Sequence, residues 1–150
     1  MSSYVSADLR RLVASRAGGL CEYCLIHEDD TYLGCQVDHI ISEKHGGPTE
    51  SENLAYACAL CNRAKGSDIG SIVSSTGELT RLFNPRIDHW ADHFFLAKTV
   101  IQPRSPIGEA TVRTLAMNDA ARLLEREALR ETGRYPSAAA SRLLRRNTGS

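Results

Sequence analysis

The sequence predicts an α+β fold on three observations. Cys21-x-x-Cys24 and Cys58-x-x-Cys61 form two pairs with 33 residues between them, two strand-like runs lie inside that interval, and helical patterns flank it. The chain opens on a helix: Ser6 suits an N-cap, and Leu9, Leu12, Val13 and Arg16 recur at helical spacing toward Ala17. Gly18-Gly19 ends that run, and the first cysteine pair follows at once. Leu33, Cys35 and Val37 alternate with Gly34, Gln36 and Asp38, the period of a half-buried strand running into Asp38-His39-Ile40-Ile41. His45-Gly46-Gly47-Pro48 reads as a turn, Asn53 to Cys58 as a second strand, and Leu60 to Lys65 as a short helix ended by Gly66.

Beyond Ser67 the pattern loosens. Residues 67–82 suit a hairpin, Phe83-Asn84-Pro85 a turn, the surroundings of Trp90 a short helix, and residues 94–96 and 99–101 two more strands. Pro106 opens a helix to about Ala116, and Asn118 suits the cap of a longer one through Glu131, with Leu123, Leu124, Ala128 and Leu129 expected inward. The expected organisation is a core over 6–68, an extension over 69–136 packed on it, and a flexible tail over 137–150, arginine-rich and then polar.

Composition narrows the class. With 150 residues, 42% hydrophobic and 24% charged, the chain is of ordinary globular make-up. No apolar run approaches the roughly 20 residues of a membrane span, and the first residues lack a basic start and apolar block, so a cytoplasmic protein is expected. Eighteen basic residues balance eighteen acidic ones, which argues mildly against a sequence-blind DNA binder. The balance is uneven, because residues 122–146 hold seven Arg and three Glu.

Five cysteines in such a compartment argue against disulfides. A Cys-x-x-Cys turn converges two sulfurs on one ion, and two turns complete the tetrahedron that structural zinc prefers. Cys21, Cys24, Cys58 and Cys61 are therefore expected to hold one Zn²⁺ in a closed shell. Redox chemistry is the competing reading of such pairs, but it needs only one pair and a βαβ setting. Cys35, left over, suits a small buried strand residue.

Between and just after the pairs lie Asp38, His39, Asn53, Asn62 and Lys65. Cutting a phosphodiester requires a base for water, a cation for the leaving oxygen and a fixed geometry between them. An imidazole such as His39 suits the base, while Asp38, its strand neighbour pointing the other way, suits a hard oxygen ligand, with Asn62 offering a second oxygen. Asn53 is placed to orient His39 and to close the hairpin loop. Arg63 and Lys65 are candidate contacts to DNA phosphates.

Cys21-Glu22-Tyr23-Cys24, Val37-Asp38-His39-Ile40-Ile41, Gly46-Gly47, Glu52-Asn53-Leu54 and Cys58-Ala59-Leu60-Cys61-Asn62-Arg63-Ala64-Lys65-Gly66 together resemble the HNH endonuclease motif in its four-cysteine form. The resemblance implies a ββα-metal core of the His-Me finger kind, with an N-terminal helix, a structural zinc site and a mixed α/β C-terminal extension. It further implies His39 as general base, Asn53 as the residue positioning it, and Asp38 and Asn62 as ligands of a catalytic Mg²⁺ or Mn²⁺. The family often has His at the third motif position; Asn62 stands there, which favours hard, oxygen-preferring ions. Residues 82–86, Trp90, His93-Phe94 and 106–112 resemble an extension common in small bacterial members. DNA is the partner implied, for a monomer or a homodimer. The rival readings are a zinc-stabilised DNA-binding module without cleavage and a protein that docks a partner protein through the extension.

Overall fold

Ser6 caps the first helix through a hydrogen bond from the Leu9 amide, so α1 (Ala7–Arg16) starts where a polar side chain can satisfy a free N–H. The computed structural model describes residues 4–145. Val13 on the inner face of α1 packs with Val5 and Leu54, and Leu9, Val37 and Tyr56 close this small core. The helix is thereby set against a hairpin of β1 (Cys35–His39) and β2 (Leu54–Cys58), paired antiparallel with Cys35 opposite Cys58 and His39 opposite Leu54. Directly opposed residues share a face of a hairpin. Val37 and His39 thus lie on the side of Tyr56 and Leu54, and Asp38 lies on the side of Ala55. Helix α2 (Ala59–Lys65) follows β2 without a linker, and its N-cap is a cysteine sulfur, since Cys58 Sγ accepts from the Cys61 amide.

The loop between β1 and β2 is closed by one side chain. Asn53 accepts the Ile41 amide at 2.9 Å and donates to the Ile41 and Pro48 carbonyls at 2.8 and 2.9 Å. The closure is tight enough to require glycine at position 47, where a Cβ would lie 1.7 Å from the Ile41 carbonyl oxygen. Asn53→Ala orphans three backbone groups, two of them on Ile41. It is expected to cost about 1–3 kcal/mol in chemical denaturation.

The remaining elements wrap this unit. Strands β3 (Gly70–Ile72) and β4 (Leu79–Arg81) form a second hairpin. Helix α3 (Trp90–His93) leads into a third, β5 (Phe94–Ala97) with β6 (Val100–Pro103). Helices α4 (Pro106–Thr114, capped by Ser105), α5 (Ala120–Glu131) and α6 (Ala138–Leu143, capped by Ser137) complete the described chain. The fold is α+β, with three separate two-stranded sheets among the described residues. No helix there is long and apolar enough to cross a membrane.

The main core joins the first cysteine pair to the extension. Phe83 meets Tyr23 edge-on at 6.4 Å and Phe94 at 5.3 Å between ring centroids. Trp90 donates its indole N–H to the Tyr23 carbonyl at 2.8 Å, and Tyr135 donates its hydroxyl to the Cys24 carbonyl at 2.7 Å. Arg86 pairs with the half-hidden Glu22 carboxylate and also donates to the Leu54 carbonyl. Buried donors of the extension thus satisfy carbonyls of the cysteine-bearing segment, which ties the two together more specifically than apolar contact alone.

Three expectations about the C-terminal half change. The inward face of α5 is only partly the expected one: Leu129 packs against the main core, but Leu124 is 66% exposed and Ala128 exposed, while Arg122 and Arg126 are buried. Asn118 does not cap α5, because its amide is spent on both backbone groups of Ile101, at 3.0 and 2.8 Å. Residues 138–143, expected within a flexible tail, form α6 with Ala140 buried. The part of that tail over 146–150 lies outside the described residues.

Candidate functional site

Two centres share the hairpin and α2. At the first, the sulfurs of Cys21, Cys24, Cys58 and Cys61 all lie within 4.8 Å of one another, and all four residues are buried. A tetrahedron with zinc–sulfur bonds of about 2.3 Å has edges of about 3.8 Å, and the Cys24 and Cys58 sulfurs are 3.7 Å apart. Burial pushes the Cys21 and Cys61 thiols well up, whereas hydrogen bonds from the neighbouring thiols hold Cys24 well down. Four buried sulfurs therefore cannot all be thiolates without a cation among them, and the quartet fits a structural zinc site. Cys35 stands opposite Cys58 on the hairpin and packs against the core.

The second centre lies at the end of β1. His39 is partly exposed; its Nε2 is 2.9 Å from Thr49 Oγ1 and 3.5 Å from Glu43 Oε1. Asp38, on the other face, pairs through Oδ2 with the Lys65 ammonium at 3.0 Å, and Lys65 also donates to the His39 carbonyl at 2.9 Å. Burial pushes the Asp38 carboxyl up from its ordinary value, against the pull of Lys65. Asn62 precedes Lys65 by one helical turn on α2 and is half-buried. Arg63 is exposed in the last turn of α2.

The expected role of Lys65 as a phosphate contact is corrected here. Its side chain is 2% exposed and turned inward onto Asp38 and the His39 carbonyl, so it braces Asp38 and the end of β1. Lys65→Met leaves a buried carboxylate without its cation and is expected to cost about 3–5 kcal/mol at neutral pH. Because the folded carboxyl already titrates above its unfolded value, the folded state holds its proton more tightly. The loss is therefore expected to be smallest near pH ~4 and to grow as pH rises. Chemical denaturation of both proteins across that range checks the slope.

Asn53 does not orient His39. Both its N–H donors are spent on the Ile41 and Pro48 carbonyls, and Thr49 and Glu43 face the imidazole instead. Neither was singled out from the sequence, although Glu43 stands one helical turn's spacing after His39 and Thr49 follows the Gly46-Gly47-Pro48 turn. Tyr23 was also passed over. Its hydroxyl is buried without a hydrogen-bond partner among the described residues, and burial, then the charge of Asp38, pushes it well up.

Residues 21–68 match the family model described as HNH endonuclease. No curated protein and no solved structure matches the chain. The matched span holds the sulfur quartet, the β1–β2 hairpin, α2 and the His39 centre, and so residues 21–68 are the part of the chain similar to the HNH endonuclease family, whose members are generally nucleases.

Proposed function

We propose that the protein is a metal-dependent endonuclease that hydrolyses DNA phosphodiester bonds, with His39 as general base and Asp38 and Asn62 as holders of the catalytic ion. The observation that carries this reading is the setting of His39, 20% exposed at a strand end with its Nε2 engaged by Thr49 and Glu43. With the Nε2 proton donated to Thr49 Oγ1, Nδ1 would keep the lone pair that can accept a proton from water. That water would attack phosphorus in line, leaving a 5′-phosphate and a 3′-hydroxyl.

A bound Mg²⁺ or Mn²⁺ supplies positive charge to the departing 3′ oxygen. Asp38 and Asn62 fit such an ion by donor chemistry, since both offer hard oxygens, and the partnerless Tyr23 hydroxyl adds a buried donor in the field of Asp38. The exposure of Arg63 in the last turn of α2 supports a contact from it to a backbone phosphate. Asn53 serves the chemistry indirectly, by holding closed the loop that carries Thr49. A single site of this kind cuts one strand per event.

Supercoiled plasmid tests the reading. Open-circular product is expected with Mg²⁺ or Mn²⁺ and not without added divalent ion, in protein whose zinc content is verified as intact. Strong chelators are unsuitable as the metal-free arm, because they also attack the zinc. Nicking that continues unchanged in His39→Ala overturns the mechanism.

The Lys65–Asp38 ion pair favours a second reading, a zinc-stabilised DNA-binding module without cleavage, because an incoming ion must contend with an ammonium already on the carboxylate. Retarded DNA in a gel, with no nicking under either divalent ion, is the result that selects it.

A further inference from the structure

Arg122 lies in α5, 61 residues beyond Cys61 and outside the segment that matches the family. Its side chain crosses the core to the sulfur quartet, with Nη2 2.9 Å from Cys61 Sγ and 3.8 Å from Cys58 Sγ. The other terminal nitrogen, Nη1, donates to the Leu115 carbonyl at 2.7 Å, so the guanidinium is clamped in one orientation. The residue is 6% exposed.

One dication and four thiolates carry two net negative charges, and burying that charge is costly without a counter-charge. The backbone contributes two neutral donors, the Cys24 and Cys61 amides, which reach Cys21 and Cys58 sulfurs at 3.5 and 3.4 Å and bring no net charge. A guanidinium supplies both a permanent positive charge and directed N–H donors. We propose that Arg122 is the built-in counter-ion of the zinc–thiolate centre, so that α5 of the extension, and not residues 21–68 alone, sets how tightly the zinc is held.

Arg126 provides an internal control. It stands one turn along the same face, is 1% exposed, and is likewise spent on carbonyls, at 2.8 Å from Thr99 O and 2.7 Å from Met117 O. Among the described residues, none of its hydrogen bonds goes to sulfur. Loss of buried packing or of a helix brace affects both arginines, whereas loss of a counter-ion affects Arg122 alone.

The test measures zinc transfer from full-length protein to a competing chromophoric chelator, for wild type, Arg122→Met, Arg122→Lys and Arg126→Met. Zinc affinity is expected to fall about 10–100-fold in Arg122→Met, to fall less in Arg122→Lys, which keeps the charge but not the fork, and to stay near wild type in Arg126→Met. Cobalt-loaded Arg122→Lys should also show its thiolate-to-cobalt absorption moved to longer wavelength, because sulfurs relieved of an N–H donor release charge more easily. Should Arg122→Met prove too unstable to load, the Lys variant and its cobalt spectrum decide. Unchanged affinity and spectrum in the Arg122 variants, or an equal loss of affinity in Arg126→Met, overturns the proposal. Neither outcome depends on DNA cleavage, so failure here is separable from failure of the nuclease reading.

Discussion

Removing the zinc, or replacing Cys58 with Ser, is expected to unfold residues 21–68 and to take the extension's packing with it. The four sulfurs sit at the joint of the first cysteine turn, the hairpin and α2, and Cys58 Sγ doubles as the N-cap of that helix. Structural zinc in small domains contributes on the order of 10–16 kcal/mol, comparable with or above the whole net stability of about 5–15 kcal/mol for a domain. Trp90, Tyr135 and Arg122 would lose their partners on the cysteine-bearing segment at the same time. Circular dichroism against chelator concentration, followed by metal analysis, should show the loss of structure tracking the loss of one zinc per chain. A chain that keeps its full spectrum without zinc would refute the structural role.

His39→Ala is expected to lower plasmid nicking by about 10²–10⁴-fold while the fold and the zinc stay in place. The separation is expected because His39 lies outside both apolar cores, and its side-chain contacts are to Thr49 and Glu43 at the loop. Thr49→Val probes the same centre more gently. It removes the hydroxyl facing Nε2 but not the imidazole, so a smaller drop with unchanged DNA affinity is expected from misorientation alone. Rates measured under single-turnover conditions, beside zinc content and thermal denaturation, check both variants.

The parts of the fold written in local pattern were legible in advance. Ser6 capping α1, the alternation that became β1, the glycine-rich turn, and the two hairpins beyond Gly70 each depend on residues close in sequence. The cysteine quartet was legible too, because ligand chemistry needs those spacings whatever the fold around them. The inward face of α5 was not. Apolar periodicity pointed to leucines, but the face meets a cluster of sulfurs and buried carbonyls, and arginines answer those groups better than apolar side chains do. Lys65 misled for a related reason. A lysine in the last turn of a short helix is ordinarily solvated, and nothing local announces a buried carboxylate 27 positions earlier.

By itself, then, the sequence determined the chemistry available to this protein: a tetrathiolate metal site, an Asp-His pair at a strand end and an Asn one helix turn before a Lys. Tertiary structure decided which of those groups face one another. It turned Lys65 inward onto Asp38, gave His39 to Thr49 and Glu43, reserved Asn53 for the loop, and brought Arg122 across the core to the sulfurs. The physical reason is that a buried charge must find its partner somewhere in the folded chain, and sequence separation places no limit on where that partner comes from.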